Sequence, residues 1–447
     1  MLALADADYA DIRHETKTEA RITFSGRELV GVSSSSADGY VLRVLKNGGF
    51  ATIAFTRPGD AGRAARTASK NALVISRNAK RPVRLAPVAP ARDSFVPSLE
   101  EDPRSVSIDD KLALTRHYND IPLSNPKVAT TSIGYADVTR VKHFLSTEGS
   151  EVHEELVTSR ISGSITAMDG SLFQTTVFGV GGSDGFARVR GREAEVEAKT
   201  RVAVDLLRAE PVKAGTYGVV LDPKLAGVFT HEAFGHFSEA DLIEDSPTMR
   251  EKMKFGARLG SDVVNIKDDP TLPHQLGFYK YDDEGVAAGP VQLMKAGVLT
   301  GRLHSRRTAA AFDESPTGHC VAEDYRYAPI IRMGNIFIEP AKAGLDELLA
   351  QLGEGLYLVD SDGGQTTGEN FTFGAQYGFV IKGGRRAGMV RDINISGNLY
   401  RTLENICAVG GDLELGEMGG CGKGQANIRS CYGAPHVLVE NVVVGGR

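Results

Sequence analysis

Residues 215–243 read GTYGVVLDPKLAGVFTHEAFGHFSEADLI, and the change of pattern inside this stretch organises the rest of the chain around it. The first seven residues, GTYGVVL, form a short glycine-bounded run rich in strand formers and predict a β-strand. Asp222 and Pro223 then supply an N-cap side chain and a proline at the first helical position. From Lys224 to about Ile243 no further proline intervenes, so His231 and Glu232 are expected inside a helix that follows the strand directly.

That helix carries two histidines, His231 and His236, with Glu232 immediately after the first. A zinc hydrolase needs two or three neutral or anionic ligands, an open coordination position for water, and a carboxylate able to take the water's proton. His231, Glu232 and His236 provide all but one ligand. The spacing raises a geometric difficulty, because on a regular helix residues four apart differ by about 40° around the axis while residues five apart differ by about 140°. Two such histidines converge on one ion only if the backbone widens locally into a π-bulge, and the expected place is at or near Gly235. Gly227 and Gly235 each cost a helix about 1 kcal/mol relative to alanine, which points to a backbone need for both. The ordinary alternative is a satisfied histidine pair packed beside the strand. Spacing leaves the third ligand open between Glu239, three residues after His236, and Cys421, set in the glycine-dense GEMGGCGKGQ. His304 and His319 are weaker candidates of a kind usually exposed in loops, while Cys407 and Cys431 read as structural cysteines.

The chain of 447 residues is 41% hydrophobic and 24% charged, which excludes a disordered or fibrous protein and is long enough for two or three packed domains. With 51 glycines and no tryptophan it reads as strand-rich rather than as a helical bundle. A net charge of -6 without a dense basic run argues against nucleic acid as a partner. No run of about eighteen apolar residues occurs, so no membrane span is expected. The N-terminus, MLALADADYADIRHE, lacks the basic and apolar regions of a secretory signal. The expected setting is therefore the reducing cytoplasm, with the four cysteines as free thiols or metal ligands.

The expected fold class is α+β, with small N-terminal α+β units followed by a large, mainly antiparallel β domain and the metal-motif helix near the junction. Residues 1–80 are read as the first unit, with short strands separated by Ser, Asp-Gly and Asn-Gly-Gly turns and followed by the alanine-rich helix DAGRAARTASKNALVISR. Residues 81–102, rich in Pro, Ala and Val, read as a linker. Residues 103–215 contain the helix candidate DDKLALTRHYND, alternating strand patterns, and a long helix with Val196, Ala203 and Leu207 on one stripe that Pro211 ends. Residues 216–447 hold both the histidine motif and Cys421 in a glycine-punctuated, strand-dominated sandwich or open barrel.

The string HEAFGHFSEAD resembles the HExxxH segment of the TldD/PmbA family, specifically the TldD-type subunit that keeps the metal motif. The resemblance continues through GSDVVNIKDDPTLP, YDDEGVAA, LMKAGVLTGRLHSRRTA, APIIRMGNIFIEP, GGQTTGENFTFG, GGDLELGEMGGCGKGQ and PHVLVENVVVGG, and so spans the chain from about Tyr9 to its end. It implies a cytosolic metalloprotease acting on peptides and unfolded or small modified proteins, as a homodimer or paired with a TldE/PmbA-like subunit. It further implies that His231, His236 and Cys421 bind zinc, that Glu232 is the general base, and that Glu239 supports a histidine or the helix. ADADYADIR resembles the middle of the family's first helix, so that helix is expected to be short or missing, and Cys320 matches no catalytic feature. Gly363, Gly364 and FTFG are candidates for backbone hydrogen bonds to an extended peptide. Two other functions use the same residues: a non-catalytic scaffold or partner subunit of a protease assembly, and a zinc hydrolase of a non-peptide amide.

Overall fold

The computed structural model describes residues 2–446. Its N-terminal part is built on a seven-stranded sheet. Strand β1 (Tyr9–Ser25) pairs antiparallel with β2 (Glu28–Lys46), which pairs with β3 (Gly49–Phe55). The chain turns at Gly26-Arg27 between β1 and β2 and at Asn47-Gly48 between β2 and β3, the latter with φ of 49° and 77° that suit a type I′ hairpin. The serine run and Asp38-Gly39 do not turn the chain; they lie inside β2, where their backbone groups complete the ladder with β1 and the small side chains face solvent. The short strands expected there are thus two long ones. ADADYADIR holds no helix, in keeping with the expectation of a short or missing one, and Tyr9 opens β1.

Helix α1 (Ala61–Asn78) buries Ala64, Ala65, Ala68 and Ala72 against Leu42, Val44 and Ala51 of the sheet. After it, β4 (Arg92–Phe95) adds a parallel edge to the sheet, so the proline-rich stretch contributes a strand. Helix α2 (Ile108–Leu123) precedes β5 (Val128–Ser146), β6 (Glu151–Asp169) and β7 (Leu172–Gly182), which continue the same sheet because β5 pairs with β1 along almost its whole length. Helix α3 (Glu193–Leu206) packs Val196 and Ala203 with Tyr118 of α2 over Ile133, Ile161 and Phe178. It stops at Leu206, before Pro211, and Leu206 is the buried member of the pair Leu206 and Leu207.

The C-terminal part is an α+β body with two main sheets, mostly antiparallel. One has six strands, in the order Val298–Leu299, Val291–Lys295, Ile266–Asp268, Asn335–Ile338, Cys431–Ala434, Glu414–Leu415. The other is larger and contains β8 (Glu210–Pro211) and β9 (Gly215–Leu221) with the long strands Gly355–Thr367, Asn370–Lys382 and Val437–Gly446. Gly355–Thr367 pairs with both β9 and Asn370–Lys382, so the pairing closes on itself like a small barrel. The expected strand β9 runs into helix α4 (Pro223–Phe229), where Asp222 accepts a hydrogen bond from Leu225 N at 2.8 Å. Helix α4 lies against Cys431–Ala434 of one sheet and Gly355–Thr367 of the other, which sets the histidine motif between them.

Candidate metal centre

Beyond Phe229 the helix widens. Thr230–Gly235 form a π-turn and His236–Ser238 a 3-10 turn before the chain becomes α-helical again at Ala240–Ile243. This is the distortion the five-residue spacing demands, and it brings the rings of His231 and His236 to 5.3 Å between centroids. The glycines act differently from expectation. Gly235 has ordinary helical dihedrals, φ −55° and ψ −45°, so it is not needed for backbone freedom. A Cβ there would stand 2.1 Å from Met333 Sδ, and one at Gly227 would stand 2.9 Å from the Cα of Gly433. Both glycines permit close approach of the helix to its neighbours.

Cys421 reaches the same place from 185 residues further along, its Sγ 3.8 Å from His236 Nε2. Glu232 Oε2 lies 3.5 Å from that nitrogen. One ligand atom from each of His231, Glu232, His236 and Cys421 falls within 4.8 Å of all the others. These residues can hold a metal ion. Zinc–nitrogen and zinc–sulfur bonds of about 2.05 and 2.3 Å at a tetrahedral angle separate N and S by about 3.6 Å, close to the observed 3.8 Å. Cys421 is held by reciprocal backbone hydrogen bonds with Ile428, 3.0 Å each way.

The electrostatics also suit a cation. His231 is buried and packs edge-on against Tyr432, and its Nδ1 has no hydrogen-bond partner. Burial, His236 and the Arg332 guanidinium all hold its pKa far below the usual imidazole range, leaving a neutral ring with lone pairs to offer. Burial alone would lower His236 as well, but Cys421, Glu232 and Glu239 outweigh it and push its pKa up to about 11. The surrounding acceptors thus favour positive charge at this point.

Glu239 stands on the other side of His236, with Oε2 3.6 Å from Nδ1. It is fully buried between Arg332, whose Nη1 is 3.0 Å away, and Lys423, which donates to it at 2.8 Å. Burial raises its pKa, but His236, Arg332 and Lys423 hold it below the usual carboxylate value. Lys423 also donates to Asp241. Arg332, Lys423 and Tyr432 were not singled out in the sequence; only Lys423, two residues from Cys421, carried a local signal. His304 and His319 lie elsewhere and, against expectation, are buried. His304 bonds Thr308 and Glu314, while His319 bonds Asp268 and the Thr317 carbonyl. All four cysteines are free; Cys320 and Cys431 are buried and Cys407 partly so.

Three family models match in chain order: PmbA/TldA metallopeptidase domain 1 over residues 10–72, the central domain over 101–209, and the C-terminal domain over 214–446. The chain is 36% identical over 445 residues to a metalloprotease of Synechocystis sp., covering 99% of this chain and 96% of that one. The chain belongs to the TldD/PmbA metallopeptidase family. A further member, the zinc metalloprotease TldD homolog of Saccharolobus solfataricus, is 32% identical over 331 residues, covering 72% of each chain. The TldD/PmbA fold is also that of TldE from Thermococcus kodakarensis, with a TM-score of 0.76, 18% identity, and 98% and 97% of the two chains covered. No helix among the described residues is long and apolar enough to cross a membrane.

Proposed function

We propose that this chain is a zinc-dependent peptidase that hydrolyses peptide bonds in small or unfolded polypeptides. The observation that carries the reading is the convergence of His231, His236 and Cys421 with Glu232 at one point across a π-turn. Two imidazoles and a thiolate in tetrahedral reach are donors suited to zinc. Zinc bound by His231, His236 and Cys421 would supply Lewis acidity for an amide carbonyl and for water. Glu232, half-buried beside the cluster, takes the proton of the attacking water and returns it to the departing amine nitrogen. Glu239 orients His236 from behind through Nδ1, so that Nε2 faces Cys421 and Glu232.

The hairpin tip supports extended substrates. Thr366 Oγ1 donates to the Glu232 carbonyl at 3.3 Å, and among the described residues Gly355–Thr367 has strand partners in β9 only over Leu356–Leu358, so no strand is paired on that side along its far end next to the site. A free strand edge accepts an extended chain and rejects a folded one. We assign the protein to a reducing, cytoplasmic setting, in keeping with a reduced Cys421, and to a homodimer or a heterodimer with a TldE/PmbA-like subunit. The test is hydrolysis of an unfolded-peptide library by zinc-loaded protein, with metal content measured alongside. Glu232→Gln is expected to keep zinc and lose hydrolysis, and retained activity would remove Glu232 from the general-base role. Cys421→Ser is expected to lower zinc occupancy; stoichiometric zinc in that variant would remove Cys421 from the ligand set.

A further inference from the structure

A cavity of about 210 Å³ lies between the N-terminal sheet and the C-terminal body. Its floor is one face of β1, β5 and β6, because alternate residues of paired strands share a side. Register sets these side chains in rows: Arg21, Ala136 and Arg160 in one, Glu19, Val138 and Thr158 in the next. The small Ala136 leaves space between two arginines. The opposite wall comes from the C-terminal body and includes Tyr279, Arg429 and Gly420.

The cavity is rich in positive charge, and its charges divide into two groups. Arg140 and Lys142 are matched by Glu15, Asp283 and Glu154, and Arg326 by Asp324. Lys17 faces Glu323 and Asp324, and Arg21 pairs with Glu19. Arg160 and Arg429 have no carboxylate partner among the described residues. Arg429 donates to Ser183 Oγ at 2.7 Å, to Thr158 Oγ1 and to the Phe278 carbonyl, all neutral groups. Four further buried donors on the same lining, Arg429 Nε, Arg140 Nε, Tyr279 Oη and Ser430 Oγ, have no hydrogen-bond partner among the described residues. Burial, then Arg21, lowers the pKa of Arg160 against the opposing charge of Glu19, and burial, then Arg140, lowers that of Arg429 against Glu154. Burial and nearby Asp268, Asp282 and Asp283 keep Tyr279 protonated and able to donate. Buried donors in excess of acceptors are costly unless an anion completes them.

The cavity adjoins the metal centre through one loop. Gly419 and Gly420 on its wall immediately precede Cys421, and Ile428, also on the wall, is the residue whose backbone pairs with Cys421. Gly420 and Ile428 thus tie this wall of the cavity directly to Cys421, the first by the peptide bond and the second by backbone hydrogen bonds.

We propose that this cavity is a carboxylate-recognition subsite, in which Arg160 and Arg429 bind an acidic side chain or the C-terminal carboxylate of the peptide being cleaved. The proposal rests on the peptidase reading above and makes acidic peptides the preferred substrate class. Planar guanidinium groups pair with carboxylates through two parallel hydrogen bonds, the geometry that distinguishes a carboxylate from an amide of the same shape.

The experiment uses zinc-loaded full-length protein and unfolded peptides that differ in one group. One arm moves a single Glu, or Gln as its isostere, through each position; the other compares a free C-terminal acid with a C-terminal amide. Charge-assisted hydrogen bonds predict kcat/KM about ten- to a hundredfold higher for the carboxylate at one position or at the C-terminus, and the responding arm identifies the source. Arg160→Gln is expected to collapse that ratio towards one, and Arg160→Glu to invert it in favour of a Lys peptide. The ratio is insensitive to a general loss of folded enzyme, and thermal melting of each variant gives a second check. Equal kcat/KM for the paired peptides, or a preference that survives Arg160→Gln, would overturn the proposal. Should no peptide be cleaved, anisotropy of labelled peptides bound to the same protein separates the two readings: charge-selective binding lost in Arg160→Gln upholds the subsite while the peptidase reading falls, and unselective binding removes both.

Discussion

At the scale of single residues, the centre depends on side chains that act in pairs. His236 presents Nε2 to Cys421 and Glu232 and Nδ1 to Glu239, so the ring is fixed from both sides. Carboxylates behind a metal-binding histidine raise its basicity and fix its orientation. Glu239→Gln keeps the shape and removes the charge, and it is expected to weaken zinc binding by about 10- to 100-fold, measured by competition with a chelator of known affinity. An unchanged affinity would make Glu239 solely a partner for Arg332 and Lys423. The proximity of His231, Glu232 and His236 was legible because it depends on local spacing. Glu239 and Cys421 could not be separated by spacing alone, since a contact across 185 residues depends on how the sheets pack; only family resemblance pointed to Cys421. Arg332 carried no signal at all, as nothing local to it marks a buried charge.

At the scale of elements, a strand, a cap and a widened helix deliver the motif. The π-turn was legible from the two histidines, because helical geometry permits few ways to align residues five apart. The reason for Gly235 was not, because it lies in Met333, nearly a hundred residues away. Gly235→Ala is expected to destabilise the fold by about 1–3 kcal/mol through overpacking against Met333, read from denaturant unfolding. Met333→Ala alone opens a cavity and also destabilises; the double variant should cost less than the sum of the two, and strict additivity would refute the contact. The cap has its own pH signature. Burial, then the charge of Asp360, raises the pKa of Asp222 to about 7, while the bond from Leu225 N and the charge of Lys224 oppose the rise. The native state thus holds this proton more tightly than the unfolded chain. Stability is favoured below the unfolded carboxylate pKa of about 4 and declines as pH rises towards 7. Asparagine caps as well as aspartate and does not ionise, so Asp222→Asn should flatten that decline in melts recorded from pH 4 to 8. The turns in β2 misled because Asp-Gly is a hairpin signal only when the chain is free to turn, and here pairing along β1 keeps it extended.

At the scale of the whole molecule, the N-terminal sheet and the C-terminal body are joined by a buried ionic latch. The segment Asp282-Asp283-Glu284 inserts from the C-terminal body into charges displayed by β1, β2 and β5. Asp283 meets Arg13 at 3.3 Å, Arg140 at 3.0 Å and Lys142 at 3.1 Å, and Glu284 meets Arg43 at 2.9 Å. Asp282 bonds its own loop, accepting from Glu284 N, Val286 N and Cys320 N. Burial raises the pKa of Asp283, but Arg13, Arg140 and Lys142 outweigh it and hold the carboxyl well below its usual range. A depressed native pKa gives stability that is present above the unfolded value of about 4 and lost as pH falls below it. Neutralising the carboxylate at neutral pH should therefore mimic acid. Asp283→Asn leaves three buried cations with one fewer counter-charge, and the expected cost is about 3–5 kcal/mol. The loss should fall on the joint: hydrogen exchange would show faster exchange in residues 281–286 and in the facing segments of β1 and β5, with the α4 helix protected as before. Because the carboxylate-binding cavity is walled by the same two bodies, its selectivity should weaken in this variant while zinc content stays constant. Protection unchanged at the joint would mean that the apolar contacts beside the latch suffice to hold the two bodies together.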